Sequence, residues 1–183
     1  MRLFVSVDLD GLAAAVAAVQ EQFDGASGLR FTDPKQAHVT LKFLGETDPD
    51  RLPAVTDAIE RAVAKSGVDP FQTTFGGLGV FPSLEYISVV WLGVRTGGEE
   101  LTRLHEGIEA ATTDLGFDPE DHEFTPHVTL ARMDHAGGKS RVQEVVTEQD
   151  PTVGTMSVDR VCLTESRLTD DGPEYTTVEQ FNL

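Results

Sequence analysis

The tetrapeptide His-Val-Thr-Leu occurs twice, at His38–Leu41 and His127–Leu130, 127 − 38 = 89 positions apart in a chain of 183 residues. A spacing close to half the length suggests one ancestral unit used twice. Val, Thr and Leu around a His favour an extended backbone, and successive side chains of a strand point to opposite faces. His38, Thr40 and Lys42 should therefore share one face, with Val39, Leu41 and Phe43 on the other. His127 and Thr129 should share a face opposite Val128 and Leu130, while Arg132 falls on the other parity from His127 unless the strand twists. Each copy reads as a strand whose apolar residues back onto a core and whose other side shows an imidazole and a hydroxyl.

The flanking segments repeat this layout. Residues 2–8 alternate as a strand, with Leu3, Val5 and Val7 on one face and Arg2, Phe4 and Ser6 on the other. Leu12, Val16, Val19 and Phe23 recur at helical spacing. After the first motif, Asp50 is a plausible N-cap for a helix carrying Leu52, Val55, Ile59 and Val63. A glycine-rich strand over 71–81 turns into a second over 86–94. Gly97-Gly98 precedes a helix with Leu101, Leu104 and Ile108, and 124–132 is the second motif strand. A short helix over 139–148 and strands over 156–167 and 175–181 complete the chain. No disorder-like linker divides it. The expected architecture is α+β: one bilobal domain over 1–183, two similar antiparallel sheets side by side, helices outside and a cleft between.

A formal net charge of −17 repels nucleic acid at long range. The preferred reading is adaptation to high salt, where an acidic surface maintains solubility and screening shortens its reach. Local charge beside the motifs then matters more than the total. No apolar run approaches the ~20 residues that span a bilayer. The first eight residues lack a signal-peptide layout, so the cytoplasm is the expected location. The one cysteine, Cys162, excludes an internal disulfide and reads as a buried hydrophobe. Nothing suggests an obligate oligomer, and a monomer is expected.

A lone His on a strand is usually structural, but two His-x-Thr units at matched positions build a site at their pseudo-twofold axis. A neutral His can take a proton from water while a protonated one donates to a leaving oxygen. Two Thr hydroxyls can hold phosphate oxygens. That set suits phosphodiester hydrolysis without a metal. A duplicated core strand accounts for Val and Leu but not for the recurrence of His and Thr opposite them. A zinc site is less well supported, because there is no Cys pair, no His-Glu-x-x-His helix and no carboxylate within the repeats.

With these residues set out, the chain resembles the 2H phosphoesterase superfamily. Within it, the chain resembles the RNA 2′,3′-cyclic phosphodiesterases, historically called 2′-5′ RNA ligases. The resemblance rests on both motifs in context, on Arg2–Val5, Gly79–Pro82 and Val90-Trp91, and on Ser166 with Gly172–Tyr175. It covers essentially the full length. It implies a bilobal fold, no cofactor, no metal, and an RNA substrate ending in a 2′,3′-cyclic phosphate, opened to a 2′-phosphomonoester. Some members join tRNA halves through a 2′-5′ linkage, reversibly and without ATP; a non-catalytic RNA-end-binding module is a further alternative. The resemblance implies His38 as proton donor to the leaving 3′-oxygen, His127 as the base activating water, and Thr40 and Thr129 as phosphate-binding. Three residues stand as possible support: Lys42 and Arg132 near the phosphate, and Phe4 as a base-stacking ring or a core residue.

Overall fold

In a computed structural model describing residues 1–183, all nine strands join one sheet and every strand pairing is antiparallel. In chain order the strands and helices are β1 (Arg2–Asp8), α1 (Ala13–Glu21), β2 (Leu29–Phe31), β3 (His38–Glu46), α2 (Leu52–Lys65), β4 (Phe71–Pro82), β5 (Ile87–Thr96), α3 (Gly98–Asp114), β6 (His127–Met133), α4 (Lys139–Glu148), β7 (Thr152–Val158), β8 (Arg160–Thr169) and β9 (Gly172–Asn182). The spatial order is β7-β4-β5-β6-β3-β1-β8-β9, with β2 added beside β6.

The order is pseudo-symmetric about the β3–β6 contact, where Val39 pairs with Val128. Each motif strand has the first strand of its own half beside it, β1 beside β3 and β5 beside β6. Beyond these the halves exchange strands. β4 comes from the first half but flanks β5, whereas β8 and β9 from the second half flank β1. Helices cross over as well: α1 packs on β6 and β7, and α3 on β3 and β5. Neither lobe is therefore made by one half of the sequence.

Two local expectations differ. The strand expected over 156–167 is two strands, broken at Asp159, that lie on opposite flanks of the sheet. Asp50 does not cap α2, whose N-cap is Arg51 with no side-chain cap bond; the carboxylate cap lies one turn earlier, where Asp48 accepts from the Asp50 N–H at 2.9 Å over a 3-10 turn starting at Pro49. At the start of α3, Gly97 is left-handed (φ 88°), and a Cβ there would lie 2.9 Å from Thr73 Cβ.

The core runs under both lobes and includes Val5, Val39, Leu41, Ile59, Leu92, Ile108, Val128 and Leu130, each at most 1% exposed. Burying one such aliphatic side chain stabilises the fold by about 1.5–3 kcal/mol. The apolar faces of both motif strands are thereby fixed inward, which fixes the histidine faces outward.

Candidate active site

The antiparallel pairing of Val39 with Val128 sets His38 across from Thr129 and Thr40 across from His127 (39 + 128 = 38 + 129 = 40 + 127). All four side chains lie on the sheet face away from Val39 and Val128, and all are partly buried. The fourth residue of each motif then breaks the alternation. Ser6 pairs with Thr40 but Val5 with Lys42, so Leu41 is an extra residue in β3. Trp91 pairs with Thr129 but Val90 with Ala131, so Leu130 is an extra residue in β6. Such bulges re-aim the side chains that follow.

The bulges reverse two expectations. Lys42, expected on the His38 face, points into the core at 1% exposure. Its Nζ lies 2.7 Å from Glu109 Oε2 and donates to the Asp118 carbonyl at 2.6 Å. Burial pushes the Glu109 carboxyl up, but hydrogen bonds from Lys42 and the Glu120 N–H outweigh this and hold it below its ordinary value. Arg132, on the other parity by simple alternation, is returned to the His127 face, opposite Val89. It is solvent-exposed. Its neighbour across the β2 pairing, Arg30, is paired to Asp134 at 3.2 Å. Arg132 is in none of the chain's ion pairs. Its charge acts on His38, His127 and Tyr175.

The two histidines are held alike. Nδ1 of His38 lies 2.9 Å from the Gln36 carbonyl, and Nδ1 of His127 lies 2.6 Å from the Thr125 carbonyl. A carbonyl only accepts, so each Nδ1 carries its proton and each neutral ring keeps its lone pair on Nε2. Burial lowers both imidazole pKa values; the carbonyl bonds raise them, more weakly. The environments differ in one respect. The residue paired with His38 across the ladder is Asp8, whose charge favours its protonated form; the residue paired with His127 is Gly93. His127 instead feels the charges of His38, Arg132 and His122, all of which lower its pKa.

Aromatic rings wall both imidazoles. Phe4 and Tyr175 lie 4.9 and 5.2 Å from the His38 ring, and Phe81 and Trp91 lie 4.9 and 5.9 Å from that of His127. Phe4 is on the site face as expected, but at 4% exposure its ring supports His38 and is not open for stacking. The open aromatic is Phe43, brought to this face by the Leu41 bulge and 58% exposed. Motif reading does not single out Asp8, Phe43, Tyr175 or Phe81 as site residues; Tyr175 and Phe81 are visible only within the Gly172–Tyr175 and Gly79–Pro82 signatures. Of the other histidines, His122 pairs with Asp121 and His135 accepts from the Gly137 N–H. His105 is buried and bonded to a motif strand. No group of three or more His, Cys, Asp or Glu side chains is placed to hold a metal ion.

The profile of the 2'-5' RNA ligase superfamily matches residues 8–170. Among similar proteins is an RNA 2',3'-cyclic phosphodiesterase of Methanothermobacter thermautotrophicus, 35% identical over 100% of this chain and 99% of its own length. Another of that name, from Archaeoglobus fulgidus, is 34% identical over 99% of each. In fold the chain is similar to TT0787 of Thermus thermophilus, with TM-score 0.82, 30% identity, and coverage of 100% of this chain and 98% of that one. It also shares the fold of E. coli LigT complexed with 3'-AMP, with TM-score 0.79, 23% identity, and coverage of 100% and 97%. With the profile spanning most of the length and relatives at this identity over whole chains, the protein belongs to the 2'-5' RNA ligase superfamily, the 2H phosphoesterases.

Proposed function

We propose that this chain hydrolyses 2′,3′-cyclic phosphate ends of RNA to 2′-phosphomonoesters, and that residues 1–183 act as one bilobal catalytic unit. The observation that carries the reading is the arrangement of two Nδ1-tethered imidazoles on one sheet face. Each has its Nε2 free and the other copy's threonine across from it. The family membership and the names of the similar proteins agree with it.

In the proposed step, His127 Nε2 accepts a proton from water as the water oxygen attacks phosphorus. His38, protonated at Nε2, gives that proton to the 3′-oxygen as the P–O3′ bond breaks. A 2′-phosphomonoester and a free 3′-hydroxyl result. The difference between the ladder partners supports this division of roles, because Asp8 favours a protonated His38 while His127 has no such carboxylate across from it. The Thr40 and Thr129 hydroxyls donate to the non-bridging oxygens, and the unpaired Arg132 offsets their charge. Neither a cofactor nor a metal enters the proposed step. Replacing water by an RNA 5′-hydroxyl gives 2′-5′ joining at the same site, with tRNA halves as one candidate substrate.

No helix is long and apolar enough to cross a membrane, and the enzyme is proposed to act in the cytoplasm as a monomer. The test is alanine at His38 or His127, with turnover of an RNA ending in a cyclic phosphate measured on folded protein. Undiminished turnover in both variants contradicts the proposal, and tight binding without turnover by the wild type assigns an RNA-end-binding module instead.

A further inference from the structure

Gln20 of α1 is 7% exposed and takes no part in the proposed step. Its Nε2 donates to the Leu130 carbonyl at 3.0 Å and to the Thr32 carbonyl at 2.9 Å. The Thr32 N–H reaches the same Leu130 carbonyl at 3.0 Å. Leu130 is the extra residue of the β6 bulge, the position at which a ladder is interrupted.

The other lobe has the same device made from a different residue. His105 of α3, also 7% exposed, lies with Nδ1 2.6 Å from the Leu41 carbonyl, and the carbonyl requires that Nδ1 be the donor. Leu41 is the extra residue of the β3 bulge. The two helices occupy equivalent places, each between the first strand and the motif strand of its half, and each lies against the other half's motif strand. Both helices thus supply a buried donor to the carbonyl of the fourth motif residue, one with an amide and the other with an imidazole. The recurring requirement is a donor at that carbonyl, met by two unrelated side chains.

The Leu130 carbonyl also accepts from the Thr32 hydroxyl at 3.2 Å, so what Gln20 adds is the donor that ties this bulge to α1; without that tie the bulge loses its link to the helix and a regular ladder is favoured. In a regular ladder, alternation from Thr129 turns Arg132 away from the histidines. We infer that Gln20 and His105 are positioning residues that hold the two bulges, and that Gln20 acts on substrate through Arg132. The second clause rests on the reading above in which Arg132 meets the substrate phosphate.

The test is a double-mutant cycle on RNA ending in a 2′,3′-cyclic phosphate, using wild type, Gln20→Met, Arg132→Gln and the pair. Met keeps the approximate length of Gln and removes its amide, and with it the Nε2 donors. Gln20→Met should lower kcat/KM by about tenfold or more, the scale set by small misplacements of a binding group. In the Arg132→Gln background it should lower it no further. Losses that multiply, or a Gln20→Met enzyme as fast as wild type, overturn the inference while leaving the Arg132 reading intact. An Arg132→Gln enzyme with no loss overturns both. Gln20→Leu replaces Gln20→Met if the latter does not melt cooperatively, with the same outcomes. In the other lobe, His105→Gln should stay within about twofold of wild type while His105→Leu falls well below it. Equal losses in these two variants overturn the donor requirement.

Discussion

Val39 of one motif pairs with Val128 of the other, and this antiparallel contact is where the two halves of the sheet meet. Its consequence is chemical. By this register each histidine lies across from the threonine of the opposite copy, so in the proposed reaction both copies would hold one phosphate, on a sheet to which both halves of the chain give strands on either side of the contact.

Alanine at His38 or at His127 should lower kcat by a factor of about 10² to 10⁴, the usual contribution of a positioned acid or base. The double variant should be little worse than either single one, because the two act as a unit. Circular dichroism and thermal melting should show both variants folded, since each ring is only partly buried.

The pH profile should separate the two roles. Both imidazoles are lowered by burial, so the optimum of kcat/KM should lie on the acid side of the ordinary histidine value of about 6.5. Asp8→Asn removes a charge that raises His38. With His38 as the acid, the alkaline limb moves to lower pH; movement of the acid limb instead would assign His38 as the base. Stability obeys the same sign. A histidine whose folded pKa lies below its unfolded one gives stability that is present above about pH 6.5 and lost as pH falls toward the folded value. His38→Asn should therefore flatten the fall in melting temperature on acidification.

Lys42 should affect stability and not chemistry. Its removal leaves Glu109 without its partner and the Asp118 carbonyl without a donor. Lys42→Met should cost about 3 kcal/mol, the lower end of the range for breaking a buried pair. Below the lowered melting temperature, kcat should match wild type. A kcat loss with an unchanged melting temperature would return Lys42 to the site.

Gly79 should be needed for its lack of a side chain. A Cβ at this position would run into the Trp91 ring, which lies beside His127. Gly79→Ala should displace that ring, shifting the fluorescence of the protein's one tryptophan and lowering turnover together. A shifted spectrum at full activity would show that Trp91 does not support His127.

The motif pattern makes much of this site legible, and its limits have one cause. Alternation places His38, Thr40, His127 and Thr129 on their face, and it holds over the first three residues of each motif. It fails at Leu41 and Leu130, because a bulge depends on what packs against the carbonyl, here His105 and Gln20 from distant helices. That failure misplaces Lys42, sets the parity of Arg132 against it and hides Phe43. The α+β class is readable from the repeated strand–helix–strand order, but the two sheets expected side by side are one, continuous through the Val39–Val128 pairing. The exchange of β4 and β8 between lobes is not readable, since both are alternating strands whose partners are set by tertiary packing. The fusion of β7 and β8 into one expected strand has the same origin, as only Asp159 separates them.

The most direct test of the central claim is the product formed from a short RNA ending in a 2′,3′-cyclic phosphate, incubated with the protein and EDTA at low and high salt. A two-histidine site with His38 donating to the 3′-oxygen predicts a 2′-phosphomonoester, formed with EDTA present and absent when either histidine is alanine. A 3′-phosphate product, or turnover that EDTA abolishes, would contradict it.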